Sequence, residues 1–167
     1  HMHLESTKLW VDEFVKGALP CGTTAVACDP HEIANVAGLD GVAAVAEAAE
    51  KMPFTFGLAA SSCVPASSFE SPGAAFSPAD IRHLITEFNA IGIGEVMNYP
   101  AVISGDPTFR EIIAAAGWRS VDGHAPGLRG SQLDAYLAAG VESDHECFAL
   151  DEAHEKRQKG MWVFLRY

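Results

Sequence analysis

Val121-Asp122-Gly123-His124-Ala125-Pro126-Gly127 carries a short run into a histidine, and Pro126 and Gly127 then stop it. The strand therefore ends where the His124 side chain can face a pocket. Three other places have the same form: His1-Met2-His3, Ile91-Gly92-Ile93-Gly94-Glu95, and Val141-Glu142-Ser143-Asp144-His145-Glu146. Each puts an imidazole or a carboxylate, both metal-ligating types, at the end of a short apolar or glycine-rich run. Two histidines two apart on a strand point the same way, so His1 and His3 can serve one ion.

Outward from these four sites, strand-like and helix-like segments alternate. Leu9 to Leu19 has helical spacing and is broken by Pro20-Cys21-Gly22; Thr23 to Cys28 is β-branched and apolar, hence a buried strand leading into Asp29-Pro30-His31-Glu32. A helix is predicted from Leu39 to Lys51 and a strand from Phe54 to Ala60. A Ser/Pro/Gly-rich loop follows, and Ser77-Pro78 starts a helix that runs to Phe88. After the strand that ends at Glu95, Asn98 to Asp106 reads as a loop. Pro107 to Ala116 reads as a helix, Arg119 to Asp122 as a strand and Ser131 to Ala139 as a helix. Val141 to Ser143 reads as a strand, Leu150 to Lys159 as a helix and Met161 to Leu165 as a last strand. About seven strands and six helices result, with no internal repeat.

Such alternation implies a parallel sheet, either open or closed into a barrel. The candidate ligands come from the ends of the first, fourth, fifth and sixth strands. In an open sheet those ends lie along a line, whereas a barrel gathers them around one mouth, so a TIM-type (β/α)8 barrel is expected. Eight strands and about 250 residues are typical of that fold. The chain is accordingly read as a single partial domain over residues 1–167, a piece of a larger enzyme.

The 167 residues are 49% hydrophobic and 20% charged, which suits one soluble domain. A net charge of -11 argues against a nucleic-acid or anionic-membrane surface and for a small or neutral partner. Cys21, Cys28, Cys63 and Cys147 lack CxxC spacing and read as reduced thiols of a cytoplasmic protein. No apolar run is long enough to span a bilayer, and no signal-like N-terminus indicates export.

The succession HxHxES (1–6), DPHEIANV (29–36), SSCVPA (61–66), GEVMNYP (94–100), DGHAPGL (122–128) and SDHE (143–146) resembles the adenine deaminase family of the amidohydrolase superfamily. The resemblance runs through nearly the whole chain. It implies a TIM barrel with two divalent metals at its mouth, and hydrolysis of adenine to hypoxanthine and ammonia by a hydroxide held between them. Carried over by motif, His1 and His3 would bind the more buried metal, Glu95 would bridge, and His124 and His145 would hold the second. Many amidohydrolases use a carboxylated lysine as the bridge, but no lysine ends the fourth strand here, and Glu95 is the available anion. Three parts of the family pattern are absent from this chain: an eighth strand ending in an Asp, a smaller β-rich domain, and a further C-terminal domain.

Displacing an exocyclic amine from a purine needs a strong nucleophile at neutral pH, which a shared, metal-acidified water supplies. Imidazoles and a carboxylate suit Zn, Fe or Mn, and the resemblance favours Mn or Fe. Glu146, beside a ligand, and His31 with Glu32 are the candidates for proton transfer or purine contact. Glu5 either orients a ligand or caps the next helix, and Asp29 and Asn35 also fit as turn residues. His83 and His154 read as surface residues. His1-Met2 has in addition the form of an expression-tag remnant, in which case the match at position 1 is accidental or the ligand there is substituted. Two other functions share the ligand pattern: an amidohydrolase acting on another cyclic amidine or amide, and a non-catalytic metal-binding domain. Unpaired barrel edges would favour a homo-oligomer.

Overall fold

The computed structural model describes residues 1–166, in which six short strands alternate with seven α-helices. β1 (Ala25–Cys28) pairs parallel with β2 (Thr55–Leu58), β3 (Gly92–Val96) with β4 (Ser120–Gly123), and β5 (Ser143–Asp144) with β6 (Trp162–Val163). Backbone bonds also link these pairs. Ala60 N donates to Gly92 O at 2.9 Å and Gly94 N to Ala60 O at 2.7 Å, while Glu142 N donates to Val121 O at 3.0 Å. Neighbours are thus parallel and follow chain order, the order that successive strand–helix–strand crossovers build.

The N-terminal segment departs from the expected first strand. Only Met2 pairs, bridging to Cys28 through Met2 N to Ala27 O at 2.8 Å and Asp29 N to Met2 O at 2.9 Å. A 3-10 turn then takes Leu4–Thr7 away from the sheet. One bridge suffices to set the alternation: Met2 packs against the core formed by Leu4, Val11, Cys28, Val45 and Leu58, and the histidines on either side of it face the other way.

Three of the helices open on a side chain that caps their free N-terminal amides. α1 (Val11–Ala18) leaves Leu9 and Trp10 outside, both exposed. α2 (His31–Glu50) is broken at Gly38, at φ 62° and ψ -146°: the expected helix runs on from Leu39 to a C-cap at Lys51, and a short turn of helix from His31 precedes the break. α3 (Pro78–Thr86) opens on a reciprocal Ser77–Asp80 capping box. The expected loop from Asn98 to Asp106 is instead largely helix, α4 (Tyr99–Ser104): the Asn98 side chain accepts from Ala101 N, and Gly105 stops the turn at φ 77°. α5 (Pro107–Ala114) follows at once, with Asp106 accepting from Thr108 N at 2.8 Å and Phe109 N at 3.2 Å. α6 (Gly130–Ala138) and α7 (Leu150–Gln158) complete the series. The last two strands are displaced or shorter than expected, since Val141 is buried in the core before β5 begins and β6 ends at Val163.

Ile93, Val96 and Val121 from the strands meet Ile81, Leu84, Ile112, Leu133 and Tyr136 from the helices in the larger core. Ligand-type side chains leave the strand ends for the opposite side. All four cysteines are free thiols, with Cys28 and Cys63 buried. No helix among the described residues is long and apolar enough to cross a membrane.

Candidate metal centre

Glu95 lies at the middle of the site. It belongs to β3, all five residues of which are buried, and it is 4% exposed. Its two carboxylate oxygens face different groups. Oε1 lies 3.1 Å from His3 Nε2, 3.5 Å from His31 Nδ1 and 3.7 Å from His1 Nε2. Oε2 lies 2.8 Å from His124 Nδ1 and 3.1 Å from His145 Nε2, which are 3.3 Å from each other. The five residues expected as ligands are therefore brought together, and His31 joins them.

These separations fit metal ligation. Nitrogen and oxygen ligands about 2.1 Å from one ion lie roughly 3–3.5 Å apart, and His1, His3 and Glu95 form one triad within 4.8 Å while Glu95, His124 and His145 form another. Glu95 belongs to both triads and would be held in common by two ions bound there. Five imidazoles and one carboxylate are a borderline donor set suited to Zn, Fe or Mn.

Burial opposes ionisation of Glu95, but hydrogen bonds from His1, His124, His145 and His3 outweigh it and hold its carboxyl well below the usual range. Burial likewise opposes the charge on His1, yet hydrogen bonds to Asp122 and Glu95 raise it to about 10. His3, with Glu95 and the Asp29 carbonyl as partners against its burial, is raised to about 9. Without an ion, the protons on these rings supply the positive charge that the cluster needs. Metal binding must displace them.

Two carboxylates not expected at the site support it. Asp29, 1% exposed, accepts from Ser61 Oγ at 2.5 Å and from Glu95 N at 3.1 Å, so it fixes the backbone that carries Glu95. Asp122 Oδ2 lies 3.5 Å from His1 Nδ1, and its Oδ1 accepts from Ser143 Oγ at 2.9 Å. Such an outer carboxylate orients an imidazole and strengthens it as a ligand. Asp122 was legible from its spacing, two residues before His124 on an extended chain. Asp29 was not, because Asp-Pro reads first as a turn.

The remaining candidates fall on either side of the cluster. Glu32 Oε2 stands 3.5 Å from His3 Nδ1. Glu5 Oε1 accepts from Ile33 N at 3.0 Å, holding the start of α2 and with it His31 and Glu32. Glu146 pairs with Arg166, and Arg166, not Glu146, is among the residues around the cavity of about 680 Å³ that contains the histidines. His83 and His154 are exposed on helices, away from the cluster. Tyr136 hydroxyl ties the two halves of the site, donating to Val96 O at 2.6 Å and accepting from His124 N at 3.1 Å.

Comparison with known proteins agrees with this geometry. A curated adenine deaminase of Archaeoglobus fulgidus is 48% identical over 99% of the chain. Those of Sulfurovum sp. and Clostridium acetobutylicum are 46% and 42% identical over the same share. The chain spans about 30% of the length of these relatives: 30%, 32% and 30% in turn. The sequence model of the Amidohydrolase family matches residues 1–163. By that match, and with its histidines and Glu95 gathered where a metal-dependent hydrolase needs them, the chain belongs to the amidohydrolase family.

Proposed function

We propose that the protein containing this chain hydrolyses adenine to hypoxanthine and ammonia, using two divalent ions, Mn or Fe, held at this cluster. The observation that carries the reading is the division of the Glu95 oxygens between two histidine groups. The family is metal-dependent, and its relatives over this stretch are named adenine deaminase. When bound, the ion pair supplies a water acidic enough to ionise at neutral pH.

In this reading His1 and His3 hold one ion, His124 and His145 the other, and Glu95 bridges. His31, whose Nδ1 is 3.5 Å from Glu95 Oε1, stands beside the cluster and would move a proton to or from the attacked purine ring. Glu32 backs His3, and Glu146 holds Arg166 at the cavity. The parallel strands in chain order support a (β/α)8 wall to which residues 1–167 contribute one partial domain. The other strand and the flanking domains would come from elsewhere in the protein. An adenine-hydrolysing enzyme of this kind would work in cytoplasmic purine salvage, in keeping with four free thiols. A homo-oligomer is the expected assembly.

Turnover of adenine, guanine, cytosine and dihydroorotate by the full-length, Mn-loaded protein tests this. Preference for adenine with release of ammonia is expected. Preference for a non-purine would replace adenine with another cyclic amidine or amide, and no turnover of any would favour a metal-binding domain without catalysis.

A further inference from the structure

Behind His124 and His145, away from the cavity, lies a buried ion cluster built on α7. Lys156 is fully buried, and its ammonium donates to Asp144 Oδ2 at 2.8 Å, Glu152 Oε1 at 2.6 Å and Ala125 O at 2.7 Å. Three acceptors match the three hydrogens of a charged lysine. Asp144 Oδ1 in turn accepts from Ala125 N at 2.8 Å. Glu152 Oε1 accepts from Gly127 N at 2.8 Å and its Oε2 from Phe148 N at 3.3 Å. The Cys147 thiol donates to Asp144 Oδ2 at 3.1 Å.

Asp144, Cys147 and Glu152 lie close enough to form a ligand triad by themselves. The Lys156 ammonium sits among their oxygens, so the cation of this cluster is the protein's own. Its partners in sequence are telling. Ala125 follows His124, and both its N–H and its carbonyl are held. Asp144 precedes His145. The loop after β4 and the end of β5 are therefore fastened to one point, Lys156, immediately beside each of the two histidines. Among the described residues no comparable buried lysine touches the neighbours of His1 or His3, which are set by the Met2 bridge and by Asp29.

We propose that Lys156, with Asp144 and Glu152, is a positioning cluster that fixes the separation of His124 and His145 and so tunes the affinity of one ion of the pair selectively. This rests on the reading of those histidines as ligands of one ion. Outer groups that orient metal ligands typically change affinity by about 10–100-fold.

The test titrates metal-free full-length protein with Mn2+ by equilibrium dialysis, alongside the Mn electron paramagnetic resonance spectrum. Lys156→Met should weaken one ion by about 10–100-fold and leave the other at the parent's affinity. At two equivalents the spin-coupled pair signal should give way to that of isolated Mn2+. Added to His124→Ala, Lys156→Met should weaken binding little further, because both act on the same ion. Where circular dichroism finds Lys156→Met unfolded, Glu152→Gln, which keeps an acceptor for Gly127 N, decides by the same selective but smaller loss. Parent affinities for both ions in the folded variants would overturn the proposal, as would parallel weakening of both. A parent that binds fewer than two ions would overturn the two-ion reading itself, and the positioning role with it.

Discussion

Gly94→Ala is the smallest change that should disable the site without touching a ligand. A Cβ at position 94 would meet Asp29 Oδ2 at 2.2 Å, its Cγ at 2.7 Å and its Oδ1 at 3.0 Å. An ordinary carbon–oxygen contact is about 3.3 Å, so Asp29 would have to retreat by roughly 1 Å. It has little room to do so, being buried and held through Ser61 at 2.5 Å and Glu95 N at 3.1 Å. Overpacking of this kind costs about 1–3 kcal/mol, and losing the charged acceptor of Glu95 N adds about 1.5–3 kcal/mol. Together these give a loss of roughly 2.5–6 kcal/mol and a fall in Tm on the order of 10 °C. Gly17→Ala is the control: it lies within α1, a Cβ there meets nothing within 4 Å, and the change should stabilise by about 0.4–1 kcal/mol. Calorimetry on the metal-free and Mn-loaded protein reads both. A Gly94→Ala variant that melts with the parent and keeps its metal affinity would refute the role given to Asp29.

Other outcomes follow from the same contacts. Tyr136→Phe removes the hydroxyl shared by Val96 O and His124 N, which should cost about 1–3 kcal/mol in denaturant unfolding. Asn98→Ala should cost about 1 kcal/mol through loss of the α4 cap, with metal content unchanged by elemental analysis. His1 and His3 are raised to about 10 and about 9 in the metal-free protein, above the ordinary value near 6.5. Their contribution to metal-free stability is thus full below that ordinary value and lost as pH rises through 9 to 10. Glu95 has the opposite sign: its contribution is present above the usual carboxylate range and lost on acidification. Since an ion must displace the imidazole protons, Mn2+ affinity should rise with pH over the neutral to alkaline range, with proton release measurable in weak buffer. Flat affinity would mean that His1 and His3 do not ligate.

The site was more legible in the sequence than the elements that carry it. Histidines two apart, and a histidine stopped by Pro and Gly, stand out locally, so His1, His3 and His124 were candidates without knowing the sheet, and His145 joined them at the end of a short run. What sequence could not convey was tertiary. Asp29 becomes a support only because Gly94 leaves space for it, and those residues are 65 positions apart. Lys156 sits on a helix of polar residues, and only the approach of the loop after β4 and the end of β5 buries it. The misread segments have local causes: α4 is short enough that its Asn98 cap and Gly105 stop resemble a loop, and the helical turns from His31 to Ala37 follow an Asp-Pro that reads as a turn. The expected first strand is reduced to the Met2 bridge, which with Asp29 sets its histidines.

The measurement that bears most directly on the centre is the metal content of the full-length protein and its Glu95→Ala variant, by elemental analysis after Mn2+ loading. Close to two ions per chain in the parent, with at least one lost in the variant, is the expected result, since each oxygen of Glu95 faces a different histidine group. Two ions retained in the variant would contradict the bridging role and the shared centre built on it.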